Sequence, residues 1–342
     1  MKIAVDAMGG DFAPKEIVKG AIAACQEIGA EVILVGNEAN LKSELAHQPF
    51  SEFKLSDLKL EIYPATEVIA MDEHPVSAVK RKQDSSLVVA NRLVKEGKAA
   101  AVISAGNTGA AMSASLLTLG RIERIKRPAI ASLMPTRKGL SIILDAGANV
   151  DCEPENLLQF ALMGSVYAEQ LLGMNNPKVG LLSIGEEETK GNKLTIEAHQ
   201  LLKNSRLNFI GNIEGRDIHS GMCEVIVCDG FTGNTILKLT EGMASFFFNQ
   251  IREAMNTNSF SRLGGFLLKK SLRKMKETLD YTEYGGAPLL GLSGISLISH
   301  GSSNSKAIKN AIKAAVKALN QDIIAKIAAS VQSPEVNHAG LS

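Results

Sequence analysis

The sequence predicts an α/β fold: a doubly wound, mostly parallel sheet with helices on both faces. Three observations predict it. Apolar runs bounded by Gly, Asn or Asp recur along the chain, most are continuous rather than alternating, and helix-period segments lie between many of them. A βαβα order of this kind buries a parallel sheet under helices on either side.

The runs are KIAVDA, EVILVG, KLEIYP, AAVISAG, PAIASLMP, LSIILDAG, KVGLLSIG, LNFIGNIE, CEVIVCDG and GISLISHG. Among the intervening helices are Glu16 to Ile28 after Pro14, Glu153 to Leu172 behind Pro154, and Leu194 to Leu202. Two stretches depart from the alternation. From Gly233 to Leu279 there is no convincing strand, so residues of about 233–282 read as a protruding helical excursion. From Asn304 to Val331, the residues Ile308, Ile312, Val316, Leu319, Ile323 and Ile327 keep helical spacing behind the capping run SSN, which predicts one packed C-terminal helix. The organisation expected is a single two-lobed catalytic domain over 1–331 with a tail at 332–342.

Composition narrows the function. The chain has 342 residues, 45% hydrophobic and 21% charged, enough for a sizeable core. A net charge of +1 argues against a broad nucleic-acid surface. The four cysteines, Cys25, Cys152, Cys223 and Cys228, form no zinc-like spacing, and no signal peptide precedes the first run, so a cytoplasmic location without metal is expected. No uncharged apolar run is long enough to span a membrane.

Ligands of doubly wound sheets sit beyond the carboxyl ends of the strands. The turns there share one chemistry: DAMGGD (Asp6 to Asp11), SAGNTGA (Ser104 to Ala110), LDAGAN (Leu144 to Asn149), GEEETKGN (Gly185 to Asn192), DGFTGNT (Asp229 to Thr235) and SHGSSN (Ser299 to Asn304). Each joins Gly to Asn, Asp, Thr or Ser. Converging on one edge, they would line a cleft with backbone donors and small polar groups, a geometry suited to phosphate. The glycines also serve tight βα turns for steric reasons alone. The P-loop pattern, G-x-G-x-x-G, H-E-x-x-H and G-x-S-x-G are all absent, which sets aside the common nucleotide, zinc-protease and hydrolase sites.

Taken in order, MKIAVDAMGGD, SAGNTGA, LDAGANVDC, GEEETKGN, DGFTGN, YGGAPLLG and SHGSSNS resemble the phosphate acyltransferase family of the PlsX type, from Met1 to about Leu319. One departure is the Ser before His300, where the family pattern has Ala. The resemblance implies an α/β fold akin to isopropylmalate dehydrogenases and phosphotransacetylases, used as a homodimer that converts long-chain acyl carrier protein and inorganic phosphate to acyl phosphate and free carrier protein, without a cofactor. It also implies that a membrane glycerol-3-phosphate acyltransferase consumes the product in phospholipid synthesis. A short-chain phosphotransacetylase using coenzyme A is the alternative, and a decarboxylating dehydrogenase a more distant one.

Phosphate is already a nucleophile, so such an enzyme needs an anion cradle, donors for a tetrahedral oxyanion, and help for the departing thiolate. The cradle is expected from Gly9, Gly10, Asp11, Asn107, Thr108, Gly109, Asp145, Gly147, Asn149, Gly191, Asn192, Thr232 and Gly233. Lys190 is the expected point charge, Asp229 the most direct of the strand-end carboxylates, Asn234 a further donor, and His300 a proton source for the thiolate. Each has a structural alternative: a solvated lysine, a helix cap, a hydrogen-bonded histidine. Cys152, just before Pro154, offers an acyl-enzyme route ranked below direct attack by phosphate.

In SFSRLGGFLLKKSLRKMKETL, Ser259 to Leu279, an apolar stripe faces a crowd of basic residues. It reads as a core-packed helix, a dimer element, or an interfacial helix on anionic lipid. With the resemblance, Leu263, Phe266, Leu267 and Leu268 are expected to touch the inner face of the cell membrane, and the basic flank suits an acidic carrier protein.

Overall fold

A computed structural model of the chain describes residues 1–48, 57–279 and 285–332. Its strands form two sheets. Strands β1 (Lys2–Asp6), β2 (Glu31–Gly36), β3 (Leu60–Pro64), β4 (Ala101–Ser104), β5 (Ala129–Ile130), β11 (Ala287–Leu290) and β12 (Ile295–Ile298) make the first, ordered β3-β2-β1-β4-β12-β11-β5. Strands β6 (Ser132–Thr136), β7 (Gly139–Leu144), β8 (Val179–Leu182), β9 (Phe209–Ile213) and β10 (Val225–Val227) make the second, ordered β6-β7-β10-β8-β9. Pairing is parallel except at β11 and at β6 against β7.

Successive residues of the strands feed opposite faces, as the pleat requires. Ile3 and Val5 pack in the large core with α1 (Lys15–Ile28) and α10 (Ser305–Asn320), while Ala4 joins Val89, Ala90 and Leu93 of α4 (Ser86–Lys95). In the second sheet Ile142 and Leu144 face the long helix α6 (Pro154–Leu172), and Ile143 faces the other way. Parallel strands covered on both sides are apolar throughout, which is why the runs read as continuous. The remaining helices are α2 (Glu38–Ala46), α3 (Pro75–Arg81), α5 (Thr108–Leu119), α7 (Lys193–Lys203), α8 (Gly230–Met255), α9 (Ser259–Leu279) and α11 (Ile323–Gln332).

Three local details differ from the sequence expectation. The single run PAIASLMP is divided at Ala131 between β5 of one sheet and β6 of the other. The proline-containing APLL forms the antiparallel β11, its pairing satisfied by β12 and β5. The expected single C-terminal helix breaks into α10 and α11, because Asp322 takes a left-handed φ of 48° that no continuing helix permits. The helical excursion from Gly233 to Leu279 holds: α8 and α9 form a hairpin, and Gly265 lets α9 approach Met255 of α8 closely.

The large core depends on filled volume. Phe160 of α6 is fully buried, so Phe160→Ala should cost about 3–5 kcal/mol of unfolding free energy, measured by denaturant titration, with the fold retained.

Candidate active site

The carboxyl ends of β1, β4 and β12 meet first. Asp6 is buried, its Oδ1 accepting Met8 N at 3.3 Å and its Oδ2 the Ser104 hydroxyl at 2.7 Å, so one carboxylate ties two turns. Burial pushes this carboxyl above the usual range, and the hydrogen bonds to Ser86, Ser104, Met8 and Gly9 oppose it. A side chain at Gly9 would fall 2.5 Å from Asp6 Oδ2 and 2.9 Å from Gly106 N, so only glycine lets the turns approach. Asp11 N then donates to Gly301 O at 2.8 Å, which brings in the turn after β12.

A second knot forms at the ends of β7 and β10. The Asp145 carboxylate accepts Ile130 N, Gly147 N, Ala148 N, Asn149 N and Asn149 Nδ2 at 2.6–3.2 Å. Burial again pushes the carboxyl up, against these donors. Asn149 Nδ2 also donates to Pro128 O at 2.8 Å, and Gly230 N to Asn149 O at 2.7 Å. At Gly233 a Cβ would overlap the Asp145 carbonyl oxygen, so the first turn of α8 lies directly on this knot.

Between the two knots opens a cleft of about 320 Å³, lined by Asp11, Thr108, Ala146, Asn234, Lys238, Glu241 and the 298–303 segment, with Met71, Ile130, Leu133 and Leu237 as its apolar wall. His300 Nδ1 lies 2.7 Å from the Ser302 hydroxyl, and its Nε2 lies 3.4 Å from Lys238 Nζ. Lys238 Nζ also pairs with Glu241 at 2.9 Å. The cleft thus sets an ammonium, an imidazole, an amide and a hydroxyl against an apolar wall, which suits a small anion beside an apolar chain.

The strand-end turns do not share one cleft. Gly191, Asn192, Asp229 and Thr232 line a neighbouring depression of about 460 Å³ together with Leu157, Leu182, Ile184 and Cys228. Lys190 lines neither; it is exposed, and its carbonyl accepts the Ser183 hydroxyl at 2.9 Å. Several expected ligand groups are occupied by the fold. The Asn107 amide caps Ala110 N and donates to Met71 O and Glu73 O, and Asn192 Oδ1 caps Thr195 N. Asp229 takes Thr232 N at 2.9 Å and the Thr232 hydroxyl at 2.7 Å, the N-cap geometry. Gly109 packs on Pro75 of α3, Gly10 fits between Ala105 O and Gly301 O, and Gly147 faces Asn234.

Of the expected residues, Asp11, Thr108, Asn234 and His300 reach the cleft. Lys238 was missed by the sequence reading, although it stands one helical turn after Asn234, at the i, i+4 spacing that places two side chains on one face. Cys152 lines neither depression; burial and the nearby Asp145 charge push its thiol up to about 11, which starves a thiolate route at neutral pH.

A model of the fatty acid synthesis protein family matches residues 1–326. A phosphate acyltransferase of Moorella thermoacetica is 56% identical over 95% of this chain and 94% of its own. The chain belongs to the phosphate acyltransferase family. Another phosphate acyltransferase, of Desulfitobacterium hafniense, is 55% identical over 96% of each chain. A solved phosphotransacetylase of Streptococcus pyogenes covers 94% of each chain with a TM-score of 0.61 at 18% identity, a likeness of fold.

The Asp145 knot in this family member meets only donors, so Asp145→Asn turns an NH₂ toward N–H groups. The change should cost about 1–3 kcal/mol, seen as a lower unfolding midpoint in calorimetry.

Proposed function

We propose that the enzyme transfers a long-chain acyl group from acyl carrier protein to inorganic phosphate, with the cleft between the two sheets as its active site. The observation that carries this reading is the pairing of Lys238 and His300 with an apolar wall in one cleft. A phosphate oxygen attacks the thioester carbonyl, a C–O bond forms, and the oxyanion collapses with rupture of the C–S bond. The departing thiolate takes a proton from His300 or from water. Lys238 balances phosphate charge, while the Asn234 amide and Thr108 hydroxyl act as donors to the oxyanion. Direct attack is favoured over an acyl-Cys152 intermediate by the raised thiol and by the absence of Cys152 from the cleft lining.

Purified enzyme given palmitoyl carrier protein and labelled phosphate should form labile, hydroxylamine-reactive acyl phosphate, and acetyl coenzyme A should serve poorly. Efficient turnover of acetyl coenzyme A with none of the carrier protein substrate would install the phosphotransacetylase reading instead. Lys238→Ala should weaken phosphate saturation by about 10–100-fold, in line with ~1.5–3 kcal/mol for a charged hydrogen bond. Lys190→Ala should alter it far less; the reverse order would move the cation role to Lys190 and its turn.

The same reading extends to the hairpin. Phe260, Phe266 and Leu267 on α9 are 88%, 73% and 73% exposed, and Leu263 and Leu268 are exposed beside them. No helix among the described residues is long and apolar enough to cross a membrane. We propose that this face rests on the inner surface of the cell membrane and delivers acyl phosphate to a glycerol-3-phosphate acyltransferase there, with the enzyme a cytoplasmic homodimer. Arg252, Arg262, Lys269 and Arg273 line a groove between α8 and α9, and they suit anionic lipid or an acidic carrier protein. Flotation with anionic liposomes should fall at least tenfold when Leu267 and Leu268 become Glu; unchanged flotation would refute the membrane contact.

A further inference from the structure

The cleft contains two hydroxyl groups with no hydrogen-bond partner among the described residues. Ser299 and Ser303 both line it, each is 2% exposed, and neither Oγ has a hydrogen-bond partner among the described residues. Buried hydroxyls are nearly always paired, because an orphaned one forfeits its hydration without return. The remaining orphan, Ser165 of α6, lies outside this cleft, so the pair at 299 and 303 is a local feature of one turn.

The missing side chain at Gly286 leaves space beside the first of these hydroxyls. Gly286, at φ +86°, also lines the cleft, and a Cβ there would come within 2.9 Å of Ser299 Oγ. Ser303 directly precedes Asn304, the N-cap of the 16-residue helix α10, and Ala307 in the first turn of that helix lines the same cleft. The positive end of the helix dipole therefore lies beside Ser303, on the cleft that Ser299 shares. Lys238 and His300 supply further donors across the cleft, and the Glu241 carboxylate is already paired with Lys238. Asp11 is the other carboxylate on the lining.

We propose that Ser299 and Ser303 form the phosphate subsite, each hydroxyl donating to an oxygen of the tetrahedral anion at the start of α10. A ligand made only of acceptors satisfies hydroxyls that find no acceptor among the described residues. This assignment rests on the acyl-transfer reading and locates its nucleophile on the β12–α10 turn, away from the glycine turn at Lys190. Bound there, phosphate lies beside Lys238, and its free oxygen faces the apolar wall where the thioester enters.

The test uses the whole enzyme and inorganic phosphate. In Ser299→Ala, Ser303→Ala and the double variant, KM for phosphate should rise at least tenfold, while KM for palmitoyl carrier protein stays within twofold. Without ligand, the melting temperature of each variant should equal or exceed that of the parent, because an unsatisfied hydroxyl has been removed. The upward shift in melting temperature that inorganic phosphate gives the parent should vanish in the double variant. A phosphate KM and a phosphate-induced shift both unaltered in the double variant would overturn the subsite. If the parent makes no acyl phosphate, the acyl-transfer reading fails by itself, and the melting shift still decides whether phosphate binds at these serines.

Discussion

One buried carboxylate joins the two sheets on which the cleft depends. Asp145 ends β7 in the second sheet, yet one of its five donors is Ile130 N, in β5 of the first. Asn149, held by the same carboxylate, reaches back to Pro128 O beside that strand. The chain crosses between sheets at Ala131, and a crossing so short needs a fixed angle to be useful. Five hydrogen bonds to one charged group supply it, since bonds to an ionised acceptor are stronger and more directional than neutral ones. Ile130 and Ala146, on either side of this node, both line the cleft.

The other strand-end aspartates obey the same logic. Asp6 holds Met8 N and the Ser104 hydroxyl, and Asp229 holds the first turn of α8. Each carboxylate is turned onto donors of its own or a neighbouring segment. A cluster of acids at an edge proposed to meet phosphate would otherwise repel it; bound to these donors, the three stiffen the turns, and Lys238, His300, Asn234 and Thr108 line the cleft beside Asp11 and Glu241. Glycines at 9, 230 and 233 make this close approach possible, because side chains there would collide with the carboxylates or the backbone they grip.

The sequence made the strands and the chemistry of their turns legible, because buried parallel strands leave continuous apolar runs and βα turns need Gly, Asn and Asp. It did not show which turns converge. That depends on the division of PAIASLMP at Ala131 and on the order β6-β7-β10-β8-β9, long-range facts with no local signature. Hence Lys190, in a glycine-flanked turn, looked like a site cation, while Lys238, inside what reads as ordinary helix, did not. Asn107 and Asn192 carry the same double meaning: a residue that suits a phosphate turn also suits an N-cap, and here the caps take their side-chain oxygens. Ser299 and Ser303 were hidden for a different reason, since the absence of a partner is a property of the folded surroundings alone.

Helix α8 couples the chemistry to the exposed surface. Its first turn is pinned on Asp145, its third presents Lys238 to the cleft, and Phe246 and Phe247 stand exposed two turns further on, at about 1.5 Å of rise per residue roughly 12 Å from Lys238. Gly230 and Gly233 are the fully buried residues of α8, and Ile236 and Leu237 pack half-buried against the core, so the helix is held at its first turns. The close contact of Gly233 with the Asp145 carbonyl therefore fixes where α8 starts, and with it where Lys238 stands on the cleft lining.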